Sequence, residues 1–242
     1  MSIVKSLYTL GWEQLTKKGE FKKMKAFTKT AVLAVVCMVF LCAGSARANT
    51  LELGTSYTSI WMSVNGAQVS YGGGPYSPSY LDGVLLDFLY CVDLFKTVGL
   101  GQEYDATDVN RLGFIYGKEL NNAGQVAWLL DNYAVGADTR NEKAALQAAI
   151  WHVVNKGVND VTIGTSADPA QQSLYNGYLL ALGNNTGDVG NYSWITPGKD
   201  TINGGVIEYQ GLVGSPVPVP AAAWLLGAGL IGLVGVRRKV RG

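Results

Sequence analysis

The sequence predicts an α+β fold, in which an antiparallel sheet or sandwich part is separate from a helical part. Alternating strand patterns occupy the first half of the central region, three helical patterns follow between residues 121 and 183, and a strand pattern closes the region. Helices that are segregated from strands along a chain are typical of this class. A cleaved N-terminal signal and a C-terminal single transmembrane helix are expected to flank the domain.

The N-terminal part has the three-part layout of a secretory signal. Residues 24–48 combine two lysines, Lys25 and Lys29, with an apolar run of 13 residues, Ala31–Ala43. Ala46 and Ala48 form the small-x-small pattern at which a signal peptidase cleaves. The run is too short to span a bilayer. We therefore predict signal peptidase as a partner and a mature chain that starts at Asn49, and we interpret residues 1–23 as a gene-model extension.

Residues 49–214 form the expected extracellular domain. They contain 16 acidic residues against seven lysines and arginines, a net charge of −9. An acidic surface argues against nucleic acid as a partner and favours solubility outside the cell. The length is sufficient for one domain with its own hydrophobic core.

Three segments of this domain have strand patterns. Tyr57–Gly74 alternates and turns at Asn65-Gly66, which is a strong type I′ hairpin signal. Gly83–Phe95 is an almost continuously apolar run and predicts a buried strand. Gly204–Gly214 predicts a last strand.

Three segments between them have helical patterns. Asn121–Gly136 has helical spacing and ends near its glycine. Thr139–Gly157 is the strongest helix, because Thr139 and Glu142 make a capping box and Gly157 stands where a left-handed residue ends a helix. Asp168–Gly183 begins with an aspartate cap and a proline at the first helical position.

The C-terminal part, residues 215–242, predicts a membrane helix with a basic tail. The apolar run Ala221–Val236 has 16 residues, or about 24 Å of helix, close to the ~30 Å hydrocarbon core of a bilayer. The basic residues after it place the tail in the cytoplasm by the positive-inside rule. Prolines keep the approach to the run extended. We therefore expect a single-pass intermediate in the inner membrane.

This tail resembles the sorting signals of the PEP-CTERM family, in the variant that reads Val-Pro-x-Pro-Ala. The matching residues are Val217, Pro218, Pro220 and Ala221, followed by the basic residues Arg237, Arg238 and Lys239. The resemblance implies an exosortase-like membrane protease as a partner. It also implies final delivery to the cell surface or the extracellular polysaccharide matrix.

Cys91 is the one cysteine of the central domain, and three interpretations are open. A free cysteine is often an inert, buried apolar residue. A cysteine-dependent hydrolase is a second possibility, with His152, the chain's one histidine, as the base. The third involves Gln147, since Ala144 and Ala148 leave its helix surface nearly bare and Trp151 lies one turn further on the same face. Such a surface predicts a dry slot for the strand that carries Cys91.

Two short motifs are similar to the thioester domains of bacterial surface adhesins. They are Tyr90-Cys91-Val92 and the segment Gln147–Trp151. The resemblance implies an internal thioester between Cys91 and Gln147, supported by Tyr90, Ala144, Ala148 and Trp151. A surface or matrix nucleophile such as an amine takes the acyl group once, so the protein acts without turnover and without a cofactor or metal. The alternative is a structural or non-covalent binding protein of the matrix, in which Cys91 is inert.

Overall fold

The computed structural model of the protein describes residues 49–202 and 205–215. The predicted extension, the signal with Ala46 and Ala48, and the sorting signal with Val217, Pro218, Pro220, Ala221, Arg237, Arg238 and Lys239 lie outside the described residues. Within the described part, no helix combines the length and apolar character that crossing a bilayer requires.

Antiparallel sheets and three helices make up the described region, which confirms the α+β class. The strands are β1 Asn49–Glu52, β2 Ser56–Val64, β3 Ala67–Ser77, β4 Tyr80–Leu81, β5 Val84–Leu85, β6 Leu89–Cys91, β7 Glu103–Asn110, β8 Phe114–Ile115, β9 Lys118–Glu119, β10 Val161–Ile163, β11 Ser193–Thr196, β12 Asp200–Ile202, β13 Gly205–Ile207 and β14 Leu212–Gly214. The helices are α1 Ala123–Tyr133, α2 Arg140–Asn155 and α3 Pro169–Leu182, and a 3₁₀ turn spans Val189–Asn191.

The largest sheet has seven strands in the order β5-β4-β1-β7-β11-β14-β6. A second sheet has the order β10-β2-β3, and the pairs β12-β13 and β8-β9 stand apart. All of the pairings are antiparallel. Since β6 lies at one edge of the large sheet, Cys91 is carried at that edge, beside the last described strand.

The predicted hairpin is confirmed. β2 and β3 pair from Val64↔Ala67 outward, and the two turn residues have positive φ, 49° at Asn65 and 85° at Gly66. Positive φ at both central positions is the type I′ geometry, which matches the right-handed twist of the strands.

The three predicted helices are also confirmed. In α2, the Thr139 hydroxyl accepts from the Glu142 N–H and the Glu142 carboxylate accepts from the Thr139 N–H. Gly157 follows the helix with φ 82°. In α3, Asp168 accepts from the Ala170 N–H ahead of the helix. These caps fix where α2 and α3 begin, and α2 is the helix that carries Gln147.

The prediction of one buried strand over Gly83–Phe95 is wrong. Val84 and Leu85 are exposed in β5, which forms a short hairpin with β4 at the sheet edge. The chain then bends, because the Leu86 N–H donates to the Ser79 carbonyl and the Asp87 N–H to the Ser215 hydroxyl. Only Leu89–Cys91 forms the buried strand.

The prediction of one last strand over Gly204–Gly214 is also wrong. β13 pairs with β12, whereas β14 pairs with β6 and β11. Between them the Gln210 N–H donates to the Thr97 carbonyl and the Val92 N–H to the Gly211 carbonyl. These bonds carry the chain from one sheet to the other and bring Gln210 next to the strand of Cys91.

The core lies between α2 and the sheets. Most of α2 is fully buried, including Trp151, and it packs on α1, α3, β2, β3, β6 and β10. A helix that is buried around most of its circumference needs small residues where backbones approach it. The alanines Ala144, Ala145, Ala148 and Ala149 serve this purpose, and all of them are fully buried.

Candidate functional site: a buried cysteine and glutamine

Cys91 and Gln147 meet in the core through two hydrogen bonds. Gln147 Oε1 accepts from the Cys91 backbone N–H at 2.9 Å, and Gln147 Nε2 donates to the Cys91 carbonyl oxygen at 2.8 Å. Both residues are fully buried. The carboxamide therefore pairs with the backbone of Cys91 as a neighbouring strand would, and this fixes which end of the amide is oxygen.

A second backbone donor points at the same oxygen. The Gly74 N–H, from β3, donates to Gln147 Oε1 at 2.8 Å. Two N–H groups on one carbonyl oxygen polarise the C=O bond and stabilise negative charge on that oxygen. This is the arrangement that an acyl-transfer reaction at the carbonyl carbon requires.

Glycines in β3 make room for the carboxamide. A Cβ at Gly73 would lie 2.7 Å from Gln147 Cγ and 2.7 Å from Trp151 Cη2, and a Cβ at Gly74 would lie 2.5 Å from the Leu89 carbonyl oxygen. Such distances are well below normal contact. Glycine inside a strand often marks a close approach of this kind, so β3 can pass directly over Gln147 and Trp151.

The sulfur of Cys91 has two polar neighbours. It lies 3.1 Å from the Tyr76 hydroxyl oxygen and 3.0 Å from Gln210 Oε1, and the thiol can donate to either. The Tyr76 hydroxyl itself donates to Gln210 Oε1 at 3.0 Å. Burial raises the pKa of the Cys91 thiol to about 12, although the hydrogen bond with Tyr76 lowers it in part. At neutral pH the free thiol is therefore protonated.

The supporting residues predicted from the sequence occupy different places. Ala144, Ala148 and Trp151 are fully buried on α2, and the Trp151 ring lies beside Gly73 together with Gln147. Trp151 also contacts the Tyr71 ring edge-on, with centroids 6.1 Å apart. The Tyr90 ring packs against Phe88. Among the described residues, the Tyr90 hydroxyl and Trp151 Nε1 are both buried without a hydrogen-bond partner.

His152 is engaged elsewhere. Its Nδ1 lies 2.7 Å from the Val161 carbonyl oxygen, and its ring packs edge-on against Tyr175. In the part of the chain that the structure describes, no hydrogen bond joins His152 to Cys91. The geometry thus gives no support to a Cys91–His152 pair.

Comparison with known proteins finds one matching family model. Residues 88–185 match the family model described as Thioester domain. The matched segment is similar to thioester domains. It covers 98 of the 242 residues and includes Cys91, Gln147 and Trp151. No curated protein and no solved structure matches the chain.

The thioester-domain match omits four residues that the structure brings to the site. Gly73, Gly74 and Tyr76 precede the matched segment, and Gln210 follows it. The run Gly72-Gly73-Gly74 inside a strand pattern was a usable sequence signal for a close backbone approach. Tyr76 and Gln210 carried no comparable signal, because Tyr76 reaches the sulfur by the packing of β3 against β6 and Gln210 by the path of the chain into β14.

Proposed function

We propose that Cys91 and Gln147 form an internal thioester through which the protein attaches covalently to a surface nucleophile. The observation that carries the proposal is the Gln147 carbonyl oxygen, which accepts from the N–H groups of both Gly74 and Cys91. The thioester-domain match over residues 88–185 supports the same reaction, since the family suggests a capacity for covalent attachment.

The bond forms by acyl transfer within the chain. Cys91 Sγ attacks the Gln147 carboxamide carbon, and the oxygen gains negative charge while it is held by the two N–H groups. The C–N bond then breaks and ammonia leaves with the thiol proton. An amine that later attacks the thioester takes the acyl group, becomes joined to the Gln147 side chain and frees the Cys91 thiol. The bond is used once.

Burial protects the product. Cys91, Gln147 and Trp151 are all fully buried, so bulk water does not reach the acyl carbon in the resting state. Exclusion of water prevents hydrolysis of a reactive acyl group. A thioester in this position is therefore stored until a nucleophile enters.

Intact-mass measurement tests the bond. The purified chain should weigh one ammonia less than the residues it contains, and either Cys91→Ala or Gln147→Ala should remove the deficit. Methylamine should add to the wild-type chain at Gln147 and restore one free thiol. Gln125→Ala is the matched control, because the side-chain amide of this glutamine on α1 donates to the Gly183 carbonyl, away from Cys91, and its loss should leave the deficit unchanged. A deficit that persists in Cys91→Ala contradicts the proposal.

A structural or non-covalent matrix protein is the second candidate. Its support is that the Cys91 thiol is fully buried and hydrogen-bonded, with a raised pKa, as expected of an inert thiol. Under this alternative the wild-type chain has its full sequence mass and gains nothing from methylamine.

Export and surface delivery form part of the proposal. The signal at residues 24–48 and the tail at residues 215–242 support cleavage by signal peptidase, passage through a single-pass membrane intermediate, and handling by an exosortase-like protease. A surface location would place the thioester where an amine on a cell, a matrix or a neighbouring surface can reach it.

A further inference from the structure

The Cys91 sulfur belongs to a closed triangle of polar atoms. Sγ, the Tyr76 hydroxyl oxygen and Gln210 Oε1 lie 3.0–3.1 Å from one another. Gln210 Nε2 donates to the Asp93 carbonyl oxygen at 2.6 Å, which turns the amide so that its oxygen faces Tyr76 and the sulfur. The Tyr76 hydroxyl is thus held 3.1 Å from Cys91 Sγ, the atom that must accept a proton when the C–S bond of a thioester is cleaved.

A cavity connects this triangle to the surface. It has a volume of about 370 Å³, and its lining includes Tyr57, Tyr71, Tyr76, Phe95, Leu100 and Gln210. Tyr57, Phe95 and Leu100 are exposed, whereas Tyr76 and Gln210 are buried. The cavity therefore opens to solvent on one side and ends at the two residues that contact the sulfur.

We propose that Tyr76, oriented by Gln210, carries the proton between the incoming amine and Cys91 Sγ at the floor of this cavity. The inference rests on the proposed function and adds to it the route of the nucleophile and the acid that the reaction uses.

The chemistry explains why an acid is needed at the sulfur. A thiolate expelled into a buried site is a poor leaving group, and burial here raises the pKa of the Cys91 thiol. Protonation of Sγ during C–S cleavage lets the neutral thiol leave, so no buried thiolate has to form. Burial also raises the pKa of the Tyr76 hydroxyl, so the group rests neutral and passes a proton on in a relay, taking one from the amine as it gives one to Sγ.

The step balances without any other reagent. The amine nitrogen attacks the Gln147 carbonyl carbon, and the C–S electron pair passes to Sγ. Tyr76 gives its hydroxyl proton to Sγ and takes the proton that the amine nitrogen loses, so the tyrosine is neutral again. The products are an amide and the free Cys91 thiol. Thioester formation is the reverse reaction with ammonia as the amine, so the same hydroxyl serves both directions.

Two variants of the full chain test the proposal, with the rate of methylamine incorporation followed by mass. Tyr76→Phe removes only the hydroxyl and should slow incorporation by roughly 10²-fold, the size of a general-acid contribution. Gln210→Met removes the group that orients Tyr76 and should slow incorporation by a smaller factor than the roughly 10²-fold of Tyr76→Phe. A small buffer acid such as imidazolium should partly restore the rate of Tyr76→Phe as its concentration rises, whereas the wild type should not respond.

Tyr192→Phe is the matched control. Tyr192 is equally buried and its hydroxyl donates to Asp131, away from the sulfur, so this variant loses a buried hydroxyl bond but should react at the wild-type rate. Wild-type incorporation by a folded Tyr76→Phe chain overturns the inference, as does wild-type incorporation by Gln210→Met if Tyr76→Phe does not fold. A wild-type chain without the ammonia deficit overturns the proposed function itself, so the two failures are distinguishable.

Discussion

Gly73 leaves the space that the Gln147 side chain occupies. A Cβ at Gly73 would stand 2.7 Å from Gln147 Cγ, well inside normal contact. The strand β3 can therefore supply the Gly74 N–H to the carboxamide oxygen only because the residue before Gly74 has no side chain.

Gly73→Ala should consequently prevent the thioester. The added methyl group must displace Gln147 or Trp151, and we expect it to lower the free energy of unfolding by about 1–3 kcal/mol. Mass measurement should show the full sequence mass in place of the ammonia deficit. Gly177→Ala is the control, because a Cβ there meets nothing within 4 Å and a helical Gly→Ala change should stabilise by about 0.5–1 kcal/mol. An intact deficit in Gly73→Ala would show that the close approach is unnecessary.

Trp151→Phe should shorten the lifetime of the bond. The indole ring is fully buried beside Gly73 and Gln147, so a smaller ring leaves space that admits water. We expect a loss of about 0.5–3 kcal/mol in the free energy of unfolding, as for most buried substitutions. Mass spectrometry should also show a faster gain of one water as the thioester hydrolyses. Trp194→Phe, which alters a fully buried tryptophan bonded to the Val189 carbonyl, should cost comparable stability without changing the lifetime. Equal thioester lifetimes in the two variants would show that Trp151 does not shield the bond from water.

The free thiol should make stability pH-dependent in the alkaline range. Burial raises the pKa of Cys91 from 9.0 to about 12, so between these values the folded chain binds more protons than the unfolded chain. Stability contributed by this group is complete below about pH 9 and is lost as pH rises toward 12. Gln147→Ala, which retains the thiol, should therefore lose stability more steeply above pH 9 than Cys91→Ala/Gln147→Ala. Parallel curves from chemical unfolding at each pH would show that Cys91 does not titrate in this range.

Deletion of residues 216–242 should release the protein from membranes. That segment contains the apolar run Ala221–Val236 and the basic residues that follow it. Cell fractionation should find the truncated chain in the soluble exported fraction and the full chain, before processing, with the membrane. A truncated chain that sediments with membranes would place the anchor elsewhere. The truncated domain should still show the ammonia deficit, because Cys91 and Gln147 are unchanged.

Local patterns predicted the helices well. The capping box of Thr139 and Glu142 and the Asp168 cap determine helix ends from adjacent residues, and the Asn65-Gly66 turn determines its hairpin in the same way. The apolar pattern of Gly83–Phe95 was misleading, because hydrogen bonds to the Ser79 carbonyl and to the distant Ser215 hydroxyl bend that segment. The strand β7, Glu103–Asn110, was not predicted, since it has only three apolar residues and its alternation breaks at Thr107-Asp108.

The residues of the candidate site also differ in whether adjacent sequence or distant contacts position them. Gln147 and Trp151 are one helical turn apart, so their common face followed from spacing alone. Tyr76 and Gln210 approach Cys91 from 15 and 119 residues away in the chain, and their arrival depends on how β3 passes the site and how β14 pairs with β6. Pairing of this kind is decided by the assembled fold and leaves no local pattern to detect.

The position of β14 has a mechanical consequence. This strand is the last described element, and it lies between β11 and β6, hydrogen-bonded on both sides. If Gln147 is bonded to a surface as proposed and the chain is pulled beyond Ser215 along the strand axis, tension would reach β14 as shear across both neighbours at once. Hydrogen bonds loaded together resist extension better than bonds that open one after another, as in peeling an edge strand. Under the proposed attachment, such a load would be held at β14, the strand next to the one that carries Cys91.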